Sequence, residues 1–170
     1  QYKVPVISPS ATDDAVLTDN DGKTQPYGFR LCFQDSFQGV TMANFATNNL
    51  TEKKAVLLGD NSSDYAKGFA DNFKKTFSGE VVAHESYTAK DKDFNAVLTS
   101  IKAKDFDVLF VPGYYAEAGL IIKQARALGI DKPILGADGF DAPELEQLAG
   151  KDNLNKVYFS AHYSSLDAPE

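Results

Sequence analysis

Apolar and polar positions alternate along this chain in a repeating order: a short apolar run, a cluster of small and polar residues, then a helix-like period. Four runs show it: Val4-Pro5-Val6-Ile7 into Ser8-Pro9-Ser10-Ala11-Thr12, Ala55-Val56-Leu57-Leu58 into Gly59-Asp60-Asn61-Ser62-Ser63, Val108-Leu109-Phe110-Val111 into Pro112-Gly113-Tyr114-Tyr115, and Pro133-Ile134-Leu135 into Gly136-Ala137-Asp138-Gly139. Runs this apolar suit strands buried on both faces of a parallel sheet. Further strands are predicted over 29–33, 81–87 and 157–161. Helices are predicted over 38–50, with Val40, Ala43, Ala46 and Leu50 facing inward, and over 64–77, with Ala66, Phe69, Ala70, Phe73 and Phe77 inward. Two more run over 93–103, with Phe94, Val97, Leu98 and Ile101 inward, and 115–128, with Ala118, Ile122 and Ala125 inward. Gly129 stands where a C-terminal cap belongs. A short fifth helix is predicted over 143–148, with Asp141 as cap and Gly150 as stop. The cadence predicts an α/β fold: a three-layer sandwich with a mainly parallel sheet. In such sheets ligands bind at the carboxyl ends of the strands. Ser10, Thr12, Tyr65, Tyr114 and Asp138 are therefore candidates to face one cleft.

The stretch Thr18-Asp19-Asn20-Asp21-Gly22-Lys23-Thr24-Gln25-Pro26 is rich in turn formers and reads as a crossing loop or small hinge. The strand before it is then separable from everything after Gly28. The chain opens on Gln1, almost inside its first strand, which reads as a trimmed start without a signal-peptide pattern.

Composition narrows the function by exclusion. The 170 residues allow one domain-sized core. The net charge of −7 argues against nucleic acid and anionic membrane as partners. No apolar run approaches the roughly 20 residues of a membrane span. Cys32, the single cysteine, reads as a small buried hydrophobe. No phosphate loop, dinucleotide fingerprint or nucleophile elbow is present, and His84 and His162 have no neighbouring ligand at metal spacing. No cofactor, metal or enzymatic activity is expected. Asp60-Asn61-Ser62-Ser63-Asp64 has a faint likeness to a calcium loop but lacks the glycine and the closing Glu. It reads as a loop whose Ser or Asp caps the next helix.

The remaining candidates each have two readings. Thr12 before Asp13-Asp14 is either a helix cap with acids in the first turn or a hydroxyl with free amides suited to a carboxylate. Tyr114 and Tyr115 are either helix-start aromatics or one wall of a pocket. Asp138 is either a turn residue or a carboxylate at a strand end awaiting a cation such as an ammonium group.

An ordered set of stretches gives a resemblance. The set comprises Val6-Ile7-Ser8-Pro9-Ser10-Ala11-Thr12, Phe29-Arg30, Asp35-Ser36-Phe37-Gln38-Gly39 and Gly59-Asp60-Asn61-Ser62-Ser63-Asp64-Tyr65-Ala66-Lys67-Gly68. It continues with Lys92-Asp93-Phe94-Asn95-Ala96-Val97-Leu98, Ile101-Lys102, Gly113-Tyr114-Tyr115-Ala116-Glu117, Gln124-Ala125-Arg126, Leu128-Gly129 and Gly136-Ala137-Asp138-Gly139. Together these resemble the type I periplasmic-binding-protein family, in its branch of Leu/Ile/Val substrate-binding proteins of ABC transporters. The resemblance implies a two-lobed clamshell that closes on a free amino acid and delivers it to an ABC permease. On this reading residues 1–27 are a first-lobe strand and crossing segment, 28–164 the second lobe and 165–170 the start of a return hinge. It implies that Ser10, Ala11 and Thr12 hold the ligand's carboxylate and amino group, that Tyr65 and Tyr114 line the pocket, and that Asp138 pairs with the ammonium. Family members often carry Glu at the Asp138 position. The implied parent is exported, periplasmic or a cell-surface lipoprotein, and monomeric. The first strand, parted from the rest of its lobe, is expected to lack a mate, leaving it disordered, packed on a neighbour or swapped into a dimer. A ligand-sensing domain of a receptor or regulator with the same fold is the alternative.

Overall fold

A computed structural model describes residues 3–19 and 21–164; the expected return hinge at 165–170 lies outside them. Strands and helices alternate in chain order. They are β1 (Val6–Ser8), β2 (Gly28–Arg30), α1 (Asp35–Asn44), β3 (Lys54–Asp60), α2 (Asp64–Thr76), β4 (Glu80–Tyr87), α3 (Asn95–Lys102), β5 (Val108–Phe110), α4 (Tyr115–Ala127), β6 (Ile134–Gly136), α5 (Pro143–Ala149) and β7 (Val157–Phe159). Five strands form one sheet in the order β4-β3-β5-β6-β7, every neighbouring pair parallel.

Period two along the strands sorts side chains into two cores. Ala55, Leu57, Val108, Phe110 and Leu135 point to the face covered by α1 and α2, where Phe69, Phe73 and Phe77 pack. Val56, Leu58, Leu109, Val111 and Ile134 point to the opposite face, against Phe94, Leu98, Ile101, Ile121, Ile122 and Leu145 of the region from α3 to α5. Helices on both faces of a parallel sheet make the three layers read from the sequence. The predicted inward face of α2 is the observed one, with Phe69 and Phe73 fully buried.

Three expectations need correcting. The buried face of α1 is Asp35, Gln38, Gly39, Met42 and Ala43, while Val40 and Leu50 are only half-buried. The reason is a tight crossing: a Cβ at Gly39 would lie 2.9 Å from the Phe69 carbonyl, so only glycine lets α1 approach α2 so closely. The helix also starts earlier than predicted and widens into a π-turn over Phe45–Asn49. Asp141 does not cap α5. Ala142 occupies that position, because the Asp141 amide closes the preceding turn on the Asp138 carbonyl at 2.9 Å.

The third correction concerns the first strand, which has a mate inside the chain. β1 pairs in parallel with β2, Val6 opposite Gly28 and Ser8 opposite Arg30. The polar segment between them doubles back on itself: Thr18 bridges Thr24, and the Asp19 carboxylate accepts from the amides of Asp21 and Lys23. That excursion returns Gly28 to the side of Val6. The strand expected at 29–33 thus ends at Arg30 and belongs with β1, so the division anticipated at Gly28 cuts through a paired ribbon. Val6, Ile7, Phe29 and Leu31 on this ribbon are all more than half exposed.

Phe110 has no exposed surface and stacks on Phe73 with ring centroids 4.1 Å apart, at the centre of the α1/α2 face. Phe110→Ala is expected to lower unfolding free energy by about 3–5 kcal/mol through lost transfer energy and a residual cavity. Urea denaturation of the chain measures this; a loss below about 1 kcal/mol would show that the core refills the space.

Candidate functional site

Parallel strands deliver all their carboxyl ends to one edge, and the candidate residues collect there. Tyr65 enters from the first turn of α2, whose N-cap Ser63 accepts from the Ala66 amide as the sequence led us to expect. Tyr114 stands between β5 and α4. The turn beneath it needs Gly113, where any Cβ would collide with the Tyr87 hydroxyl. Asp138 follows β6 at the head of a 3-10 turn, Asp138–Phe140.

Tyr65 and Asp138 form the centre. The Tyr65 hydroxyl donates to Asp138 Oδ1 and accepts from the Gly139 amide at 3.3 Å. Burial pushes the phenol well above its ordinary range, and the Asp138 charge adds to this. The Tyr65 ring stacks on Tyr114 with centroids 5.1 Å apart, and Tyr114 leaves 48% of its surface to solvent. The result is an aromatic wall beside a carboxylate, open on one side.

The carboxylate is positioned by a residue the sequence reading passed over. Gln38 is fully buried. Its Oε1 accepts from the Asp138 amide at 3.1 Å and from the Ser160 hydroxyl at 2.7 Å, while its Nε2 donates to Asp35 Oδ1 at 3.5 Å. One amide thus ties α1 to the ends of β6 and β7.

The loop after β1 joins this region through Asp35. The segment after Thr12 is a turn, not a helix, so the capping reading fails there. Thr12 is buried instead, its hydroxyl bonds to the Asp35 carboxylate, and its carbonyl accepts from the Asp35 amide at 2.9 Å. Arg30 spreads its guanidinium over the carbonyls of Ala11, Thr12, Asp13 and Asp14 at 2.9–3.3 Å. The Cys32 thiol also donates to the Ala11 carbonyl, at 3.3 Å. Ser10 is exposed; the hydroxyl that braces this loop is that of Ser8, which accepts from the Ala11 amide at 3.0 Å.

Asp35 is a carboxyl group of unusual character. Burial raises its pKa to about 6; the Thr12 hydroxyl opposes this, and the charges of Asp138, Asp14 and Asp13 reinforce it. Asp35, Gln38, Arg30, Ser160 and His162 were not singled out as site residues. Only their clustering in space reveals them, although Arg30, Asp35 and Gln38 sit in stretches that carry the resemblance. Among the described residues no group of three or more His, Cys, Asp or Glu side chains is placed to hold a metal ion.

The profile of the Periplasmic binding protein family matches residues 1–170. The chain belongs to that family. It is 32% identical over 136 residues to the Leu/Ile/Val-binding protein homolog 3 of Brucella melitensis, a match taking in 78% of this chain and 37% of that protein. Among solved structures it is similar to the branched-chain amino acid transporter substrate binding protein LivJ of Streptococcus pneumoniae in complex with isoleucine. There the TM-score is 0.89 and the identity 48%, over 98% of this chain and 47% of that one. The leucine binding protein LivK of Thermotoga maritima gives a TM-score of 0.89 at 35% identity, over 99% and 47% of the two chains. The chain therefore spans less than half the length of the relatives it matches.

Within this family member, the Asp35 carboxyl gives a pH signature. Its folded pKa of about 6 lies above the ordinary 3.8, so the native state holds this proton more tightly than the unfolded chain does. The cost of ionising Asp35 is then fully present above pH 6 and disappears below pH 3.8. Asp35→Asn removes that cost. The stability of Asp35→Asn relative to wild type is expected to be greatest near pH 7 and to shrink steadily as pH falls toward 4, read from urea midpoints across the range. A difference that does not change with pH would remove Asp35 from the titrating set.

Proposed function

We propose that this chain is the second lobe, with the β1–β2 ribbon and its loop beside it, of a solute-binding protein that captures a free amino acid for an ABC importer. The ligand is most simply branched-chain, as the names of the Brucella, Streptococcus and Thermotoga relatives indicate for those proteins. The observation that carries the reading is Asp138: its backbone amide is held by Gln38, its carboxylate accepts from Tyr65, whose ring stacks on Tyr114, and Asp35, which also bonds the Thr12 carbonyl, is electrostatically coupled to it. An α-ammonium group is the natural partner for that carboxylate. The Ser10-Ala11-Thr12 loop, held by Arg30 and Asp35, is where the α-carboxylate belongs on this reading. Binding and release need no chemistry beyond these contacts, and no enzymatic step is assigned. The parent is taken to be exported, periplasmic or anchored at the cell surface as a lipoprotein, monomeric, and docked on a membrane permease.

In the complete two-lobed protein, Asp138→Ala is expected to weaken leucine binding by about 2 kcal/mol or more, roughly 30-fold, because it leaves a desolvated ammonium unpaired. Calorimetry measures it, and an unchanged affinity would reduce Asp138 to a turn residue. The 170-residue chain alone should bind leucine, isoleucine or valine only at about millimolar strength or weaker. Arg30 and Asp35 hold the Thr12 loop in place, so what is lost is most of the enclosing surface. Micromolar binding to a monomer of this chain would show that one lobe is sufficient.

A further inference from the structure

Asp138 is followed by glycine, and the packing leaves no alternative. A Cβ at Gly139 would lie 2.6 Å from the Gly113 carbonyl and 3.1 Å from the Tyr114 ring. The turn that carries the site thus imposes an Asp-Gly pair, the pair most prone to isomerise, because glycine has no side chain to shield its own nitrogen. That nitrogen can bond to the carbon of the neighbouring side-chain carboxyl, and the amide proton then leaves with the carboxyl hydroxyl as water. A second water reopens the cyclic imide on either side. Opening at the former backbone carbonyl leaves the main chain running through the side chain, with the carboxylate moved from its place. The chain contains one more such pair, Asp21-Gly22.

The two pairs are held very differently. The Gly139 amide donates to the Tyr65 hydroxyl at 3.3 Å, and that hydroxyl donates to Asp138 Oδ1. One phenol oxygen is therefore bonded both to the attacking nitrogen and to the carboxyl group it would attack. The main chain around it is tied down as well: the Asp138 amide to Gln38 Oε1 at 3.1 Å, the Phe140 amide to the Ala137 carbonyl and the Asp141 amide to the Asp138 carbonyl, both at 2.9 Å. Asp138 opens a 3-10 turn, in which ψ sits near about −25°. Ring closure needs the side-chain carbon and the next nitrogen eclipsed about the Cα–C bond, roughly a quarter turn away from that value. Only 17% of the Asp138 side-chain surface is open, and its Oδ2 lies 3.6 Å from His162 Nδ1. Asp21 and Gly22 are both exposed, and nothing lies within 4 Å of a Cβ built at Gly22. The Asp21 carboxylate makes no hydrogen bond or ion pair among the described residues. Asp19 alone closes that turn, its carbonyl taking the Gly22 amide and its carboxylate the Asp21 amide, each at 3.0 Å.

We propose that the Tyr65 hydroxyl guards Asp138 against isomerisation: bonded to both the Gly139 nitrogen and the Asp138 carboxylate, it holds apart the two groups that would close the imide ring, so that the folded chain isomerises at Asp21-Gly22 instead. Tyr65 then has a second task besides forming the aromatic wall with Tyr114. It keeps intact a dipeptide that the close approach of Gly139 to Gly113 makes unavoidable. The exposed pair needs only a local opening of its turn, which buries little and costs little. The pair at the site must break the bonds to Tyr65 and leave its turn first. This protection holds whatever ligand Asp138 meets, and so stands apart from the amino-acid reading.

The test is prolonged incubation of the 170-residue chain at neutral pH in water enriched in heavy oxygen, followed by peptide mapping in a mass spectrometer. Each passage through the imide leaves one heavy oxygen at the aspartate concerned. In the folded wild type, label and isoaspartate should accumulate at Asp21 and stay at least about tenfold lower at Asp138. Tyr65→Phe keeps the ring that stacks on Tyr114 and removes the hydroxyl. It should raise labelling at Asp138 about tenfold or more and leave Asp21 unchanged. In urea both pairs should label alike in both proteins, which shows that the folded structure and not the dipeptide sets the difference. Phe110→Ala, which weakens the core without touching this turn, should raise Asp138 labelling far less than Tyr65→Phe does. Labelling of Asp138 as fast as Asp21 in the folded wild type overturns the inference. So does an unchanged rate in Tyr65→Phe, or an equal rise in Phe110→Ala, which would make the protection a matter of global stability. A slower rate in Tyr65→Phe overturns it as well, since the hydroxyl would then be relaying the proton that ring closure needs.

Discussion

The site depends on one constraint: every strand of the main sheet runs the same way. A parallel strand must be followed by a crossover, and the crossovers here are helices packed on both faces. The β-to-α turns are therefore gathered at one edge, and residues from β3, β5, β6 and β7 meet although they are far apart in sequence. Tyr65, Tyr114, Asp138 and Ser160 are the residues that follow those strand ends. The aliphatic and aromatic interior supplies the stability, and the edge is left free for polar groups that contribute little to it.

Within that edge, burial decides which polar groups are fixed and which can respond. Gln38 is sealed from water and makes three hydrogen bonds, so Asp138 cannot drift without leaving a buried amide unsatisfied. Arg30 does the same for the opposite loop with backbone carbonyls as its partners. The carboxylates lie between these two anchors. Asp35 is close to neutral solution in its protonation, and its state depends on how much negative charge surrounds it. A rigid frame around a soft electrostatic centre is what the proposed capture and release of a charged ligand requires.

Much of this was legible in the sequence, for a physical reason. Uninterrupted apolar runs such as Ala55 to Leu58 have few alternatives to a doubly covered strand, and Phe69, Ala70 and Phe73 keep helical period with no competing pattern. Tyr65, Tyr114 and Asp138 were found because strand-to-helix junctions can be located from the same pattern. The failures share a cause. The inward face of α1 carries Asp35, Gln38 and Gly39, which look solvent-facing until their partners are known; a preference for apolar residues selected Val40 and Leu50 instead. The pairing of β1 with β2 depended on a turn that doubles back through Thr18 and Thr24, and no local periodicity encodes it. Arg30 and His162 were invisible as site residues because their partners lie 16 or more positions away.

The Gln38 amide carries a consequence for biosynthesis. Its two acceptor bonds reach 100 and 122 positions along the chain, to Asp138 and Ser160. A chain emerging from the ribosome can form α1 and β3 and begin to bury Phe69 and Phe73 long before either partner exists. Until Ser160 has been made, Gln38 is an amide waiting in an apolar seam, accessible to water and to chaperones. The carboxyl edge of the sheet is thus the last part of the fold to become native during synthesis, and a nascent chain halted before residue 160 would hold most of its hydrophobic core while lacking the tie from Gln38 to Ser160.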